Sequence, residues 1–186
     1  MGGRGAGAAR NKEQSSLTNE EKKALQQYRG SYYSPMNADL RGGYELSKAG
    51  KQRVELLDQA IEKQVLSSPM FVYRGVSGDI FGVNRNIDEN DIQSFVGKTI
   101  WDKAYMSTSF SKQDAFHDDI LLSIAVPKGS GVGIDVNSHL PAQAGSAGER
   151  EREYLIARGQ GLRIISFKKL SDGRFEVNAE LVRRRR

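Results

Sequence analysis

Apolar positions change their spacing part-way along this chain. In "KAGKQRVELLDQAIEKQ", which follows Ser47, Val54, Leu57 and Ile61 lie three and four residues apart and so share one helix face. Upstream, Thr18 and Glu21 form a capping-box pattern that predicts a helix over "NEEKKALQQY". Ser34 followed by Pro35 offers an N-cap with proline at the first helical position. A second, short helix is therefore expected from there to about Gly42-Gly43. After Pro69 the pattern becomes short runs of β-branched and aromatic residues between turn signals. "MFVYRGV", "AYMSTSF", "DILLSIAV", "GVGIDV", "EYLIAR", "LRIISFKKL" and "FEVNAELV" each read as a strand, with a small helix, "DENDIQSFVG", after the first. Helices first and short strands later, without βαβ alternation, predict an α+β fold with a largely antiparallel sheet core.

Composition narrows the class. The chain has 186 residues, enough for one domain with a proper core. Residues 1–16 are rich in Gly, Ala, Arg and Ser and are expected to be a disordered basic tail. No stretch approaches the roughly 18 consecutive apolar residues of a membrane span, and the opening lacks the apolar region of a Sec signal peptide. Synthesis in the cytoplasm is the expectation, with later delivery into a target cell or packaging in a phage particle left open. Without cysteine there is no disulfide framework, thiolate metal site or thiol nucleophile. Residues 1–30 carry six Lys/Arg against three Asp/Glu, and residues 158–186 nine against three, ending in "RRRR" over 183–186. Basic ends suit an acidic partner such as nucleic acid, and equally suit tails that only solubilise.

Most familiar chemistry is missing. "PKGSGVG" fits neither GxxxxGK[ST] nor GxGxxG and reads as a loop between strands. His117 and His139 have no ligand spacing around them, so no metal is expected. The nucleophile-elbow pattern GxSxG is absent. Three places remain. Arg74 is a charge inside an apolar strand and needs an anionic partner, either a protein carboxylate or a phosphate. In "YMSTSF", strand alternation sends Ser107 and Ser109 to one face and Thr108 to the other. In "GEREREY", Glu151 and Glu153 would share a face at the entry to a strand, about 7 Å apart between Cα atoms. That spacing suits acid–base work or stabilisation of a cation, although on its own it better fits charges on a solvated strand edge.

Taken together, the aromatic-Arg-Gly strand, the Ser-Thr-Ser strand about 30 residues later and the Glu-x-Glu entry resemble the ADP-ribosyltransferase toxins. The likeness is to the branch that includes the enzymatic components of iota-type binary toxins. "ALQQYRGSYYSPMNADLRGG" is similar to the family's helical segment, and "AVPKGSGVGIDVNSHL" takes the place of its strand–loop–strand. The resemblance spans about residues 18 to 170. It implies a helical lobe packed on two largely antiparallel sheets that form a cleft for NAD as co-substrate. The domain would run over residues 17–182, with 183–186 a basic tail.

The resemblance also implies roles. Glu153 would take the ribose 2′-hydroxyl and stabilise positive charge on the sugar, while Ser107 fixes its geometry. Glu151 would orient and deprotonate an arginine acceptor, and Glu149 would be a solvated loop charge. Arg74 and Arg41 would neutralise the pyrophosphate. Asn37, Tyr33, Gly75, Thr108 and Ser109 would line the cleft, and Phe110 or Phe116 would stack on nicotinamide. In the loop after Ser109, Lys112 replaces the arginine that the family often has there. The implied activity is mono-ADP-ribosyl transfer to a protein arginine, with NAD hydrolysis as a side reaction. Transfer to nucleic acid through the basic termini, or a non-catalytic binding module, are the alternatives. An antitoxin or immunity partner is a further expectation.

Overall fold

A computed structural model describes residues 15–115, 117–141 and 152–184. Thr18 caps the first helix, α1 (Asn19–Gln27), in the predicted way. Its hydroxyl accepts from the Glu21 amide at 3.2 Å, and the Glu21 carboxylate accepts from the Thr18 amide at 3.0 Å. A wide turn over Tyr28–Tyr32 follows, in which Gly30 leaves the helical region (φ −77°, ψ −109°). The second helix, α2 (Tyr33–Leu40), is capped by Tyr32 without a side-chain bond, so Ser34 is not its N-cap. The correction has a simple cause. Pro35 sits within the first turn, where amides have no intrahelical partner and a missing N–H costs nothing. The helix ends as expected, with Gly42 in the left-handed region (φ 85°) that a side chain would strain. Ser47 then caps α3 (Lys48–Glu62), accepting from the Gly50 amide at 3.2 Å.

The strands are β1 (Val65–Leu66), β2 (Met70–Val76), β3 (Thr99–Trp101), β4 (Met106–Ser109) and β5 (Ile120–Val126), followed by β6 (Gly129–Ser130), β7 (Gly133–Asp135), β8 (Glu153–Ile156), β9 (Gly161–Lys169) and β10 (Phe175–Val182). A short α4 (Glu89–Gln93) lies between β2 and β3. All seven expected strands are present; β1, β3 and β6, each two or three residues long, carried no sequence signal. Eight strands follow the order β3-β9-β10-β5-β2-β4-β8-β7, and β1 pairs with β6 separately. Every pairing is antiparallel except that of β10 with β5. The long sheet has two parts. β2 and β4 meet at a single residue pair, Tyr73 opposite Ser109, whereas β2 and β5 pair from Met70 to Val76.

Two cores hold these layers. One lies inside the sheet parts and includes Val72, Ile120, Leu122, Ile156, Ile164 and Val177. The other joins the helices to the β4-β8-β7 part, through Leu25, Met36, Leu57 and Ile61 against Ile134 and Leu155. Each such side chain contributes about 1.5–3 kcal/mol when fully removed from water. Gly133 lets β7 approach β8. A Cβ there would lie 2.5 Å from the Leu155 carbonyl oxygen and 2.6 Å from the Tyr154 ring. The result is the expected α+β arrangement, a helical lobe on a mostly antiparallel sheet core.

Candidate active site

Beyond the Tyr73–Ser109 pair, β2 and β4 diverge, so Arg74 and Gly75 no longer face a paired neighbour on that side. The gap opens into a cleft of about 320 Å³. From the sheet, Arg74, Gly75, Ser107, Thr108, Ser109 and Glu153 line it; from the helical lobe come Tyr33 and Asn37. Eight residues singled out in the sequence thus meet in one place.

Arg74 is the hinge of this arrangement. Its Nη1 donates to the Ser107 carbonyl oxygen at 2.9 Å, in place of a backbone bond between the strands. Burial lowers its pKa from the usual guanidinium value, partly offset by Tyr28 and Asp102. Among the described residues no carboxylate forms an ion pair with it. Glu153 opens β8 opposite Ser109, half-buried, and its amide donates to Asn137 Oδ1 at 3.2 Å. Thr108 Oγ1 donates to the Tyr154 carbonyl at 2.5 Å, and Ser109 Oγ to the Asp114 carbonyl at 3.2 Å. Those two hydroxyls are committed to the fold.

Tyr28 escaped the sequence reading and sits at the centre. Its phenol oxygen accepts from Asn37 Nδ2 at 2.9 Å, and Ser107 lines the cleft with it. Burial pushes its pKa up, and the negative charge of Glu153 adds to this against Asn37, Ser107 and Arg74. Asn37 in turn accepts from the Tyr105 amide at 3.2 Å through Oδ1. Tyr28, Asn37 and the Tyr105 amide therefore form one chain between the helical lobe and the start of β4, with Ser107, Arg74 and Glu153 also lining the cleft. Arg29, Tyr73 and Ala115 also line the cleft and were missed. Arg29 donates from both Nη1 and Nη2 to the Pro141 carbonyl, each at 3.2 Å, and has no carboxylate ion pair among the described residues.

Other expected residues stand elsewhere. Arg41 does not line the cleft: Nε and Nη2 donate to Asp102 at 3.1 and 2.7 Å. Burial alone would raise the Asp102 pKa, but the Arg41 bond and the Ala104 amide outweigh it and hold it low. Phe110 packs edge-on against Tyr154, with centroids 5.7 Å apart. Lys112 pairs with Glu176. Glu149, Glu151 and Phe116 lie outside the described residues. Among the described residues no helix is long and apolar enough to cross a membrane, and no three His, Asp or Glu side chains gather as metal ligands would.

The family described as ADP-ribosyltransferase exoenzyme matches the chain over residues 7–182. No curated protein matches it by sequence. Among solved structures it is similar to Plx2a, an ADP-ribosyltransferase toxin from Paenibacillus larvae, with 26% identity and a TM-score of 0.76 over 95% of this chain and 94% of that one. C3stau2 from S. aureus, solved with NAD, is 20% identical, with a TM-score of 0.74 over 96% and 93% of the two chains. BECa, the ADP-ribosylating toxin of a C. perfringens binary enterotoxin, was solved with NADH and is 22% identical with a TM-score of 0.72. The match covers 94% of this chain but only 45% of BECa, so the chain spans about half the length of that protein.

Proposed function

The chain belongs to the ADP-ribosyltransferase exoenzyme family, and we propose that it uses this cleft to transfer ADP-ribose from NAD to an arginine on a protein. The observation that carries the reading is the convergence of Arg74, Ser107, Glu153, Tyr28 and Asn37 on one cleft. Arg74 and Arg29 line it without a carboxylate ion pair among the described residues, so both retain positive charge for a pyrophosphate. Arg41, paired with Asp102, and Lys112, paired with Glu176, are already neutralised. Tyr33 and Tyr73 offer exposed and half-buried aromatic surface for the rings of the dinucleotide.

In the proposed reaction the nicotinamide–ribose bond breaks and its electron pair leaves with the nicotinamide nitrogen. The sugar carbon is left as an oxocarbenium-like cation. Glu153 accepts the ribose 2′-hydroxyl and opposes that charge from a fixed position, an electrostatic effect worth several kcal/mol in preorganised sites. The acceptor guanidinium cannot attack while fully protonated, and near neutral pH it does not lose its proton to water. Glu151, two residues before Glu153 in sequence, takes the proton as the nitrogen bonds to the sugar carbon. Water can capture the same cation, which gives NAD hydrolysis. A protein acceptor is preferred over nucleic acid because Glu151 supplies the carboxylate that an arginine acceptor needs. Arg183, of the terminal basic run, donates to the Ser130 and Gly131 carbonyls and to Gln160 Oε1.

The test incubates labelled NAD with a bacterial lysate, then separates protein from nucleic acid, for wild type, Glu151→Gln and Glu153→Gln. Label in protein that both variants abolish, with NAD hydrolysis surviving only in Glu151→Gln, supports the reading. Label in the nucleic-acid fraction would move the acceptor class. NAD binding by wild type with neither transfer nor hydrolysis would point to a non-catalytic binding module.

A further inference from the structure

Glu176 is a nearly buried carboxylate that the proposed reaction does not use. It stands on β10 with a side chain only 5% exposed, between Lys112 and Lys168. A carboxylate so placed requires cationic partners, because an unpaired buried charge costs several kcal/mol. Lys168 is its cross-strand neighbour on β9 and pairs with it at 3.2 Å. Lys112 is different. It comes from the segment after β4, in the other part of the sheet, and reaches across β2 and β5 to β10, with its Nζ 5.8 Å from the centroid of the Tyr73 ring.

The segment from Phe110 to Ala115 is folded by its own bonds, Ser109 Oγ to the Asp114 carbonyl at 3.2 Å and Ser111 Oγ to Asp114 Oδ2 at 2.8 Å. Ala115, at its end, and Tyr73, beneath Lys112, both line the cleft. The Lys112–Glu176 pair thus bridges the two sheet parts just where backbone pairing shrinks to one residue pair.

We propose that Glu176, acting through Lys112, is a positioning residue of the NAD cleft, holding the segment 110–115 against Tyr73 so that this wall is set before NAD arrives. The inference rests on the reading of the cleft as an NAD site. A wall fixed in advance removes an ordering cost from binding, so its loss falls on NAD affinity rather than on the bond-breaking step.

Two measurements test it on wild type, Lys112→Gln, Glu176→Gln, the double variant and Lys168→Gln: NAD hydrolysis kinetics, and hydrogen exchange at the amides of residues 111–115. Lys112→Gln removes an exposed charge and is expected to fold. It should raise KM for NAD roughly fivefold, with kcat within about twofold, and speed exchange in the segment. Glu176→Gln should do the same, and the double variant should be no worse than either single one, because both remove one interaction. Lys168→Gln should leave KM unchanged. Wild-type KM and exchange in Lys112→Gln would overturn the tether while leaving the NAD reading in force, and so would multiplicative effects or a Lys168→Gln that matches Lys112→Gln. Faster exchange in Lys112→Gln, in a protein whose wild type neither binds nor hydrolyses NAD, would keep the tether but overturn the role given to Glu176 together with the NAD reading.

Discussion

Tyr28→Phe isolates the hydrogen-bond chain that links the helical lobe to β4. The substitution deletes one oxygen, which accepts the Asn37 amide at 2.9 Å. The ring stays, and with it the edge-on contact to Tyr105 at 5.4 Å. One neutral hydrogen bond is worth about 0.5–1.5 kcal/mol net, so the stability loss should be about 1 kcal/mol. For a domain of this size that is a fall in Tm of about 2–4 °C. The effect on the reaction is separate. With its Tyr28 partner gone, Asn37 samples other rotamers in the cleft, and kcat/KM for NAD hydrolysis should drop about tenfold, the equivalent of about 1.4 kcal/mol. Thermal unfolding and hydrolysis kinetics on one preparation read both effects, with kinetics taken well below Tm. A Tm loss of the expected size with wild-type kcat/KM would refute the argument: the chain would then hold the fold together without setting the site.

Three further outcomes follow from packing and charge. Gly133→Ala places a Cβ 2.5 Å from the Leu155 carbonyl oxygen and should destabilise by about 1–3 kcal/mol or more; an unchanged denaturant midpoint would contradict the close β7–β8 approach. Asp102 has its pKa held below the usual carboxylate value by Arg41 and Ala104 despite burial, so its contribution is present above about pH 4 and lost as pH falls through the lowered value. Asp102→Asn should therefore flatten the acid limb of the stability curve, and should cost at most about 1 kcal/mol near neutral pH because Arg41 is 48% exposed. Burial, and to a lesser extent Lys22, lower the His139 pKa against Asp135, so the unfolded chain binds its proton more readily. Unfolding free energy should decline as pH falls below about 6.5, and His139→Gln should reduce that slope.

Local chemistry made much of the fold legible. The Thr18 box, the Ser47 cap and the period-two runs act over a few residues, and each appears where its pattern stands. Ser34-Pro35 misled because proline is tolerated at several places in a first turn, and the real start was set by the break at Gly30. In the site, Arg74 stood out as a charge inside an apolar strand, whereas Ser107 and Glu153, ordinary in a strand and at its edge, stood out only in combination with it. Tyr28 did not, since a tyrosine ending an amphipathic helix reads as ordinary core. The partners of Arg41 and Lys112 lie 61 and 64 residues away in sequence, as Asp102 and Glu176, and no local pattern announces such pairs. Which cations remain available for a phosphate is therefore a property of the tertiary structure alone.

The divergence of β2 from β4 has a consequence for how this domain can change. A sheet gains stability by zipping neighbouring strands together, and here two neighbours in the strand order stop after one pair. Extending that ladder toward Arg74 and Ser107 would satisfy more backbone groups and would fill the cleft with the sheet itself. Substitutions that favour regular pairing at this seam should thus be selected for in a stability screen and rejected in one for activity. The seam is a place where the domain trades rigidity for work, and a library confined to residues 73–76 and 106–109 would reveal that conflict as two non-overlapping sets of winners.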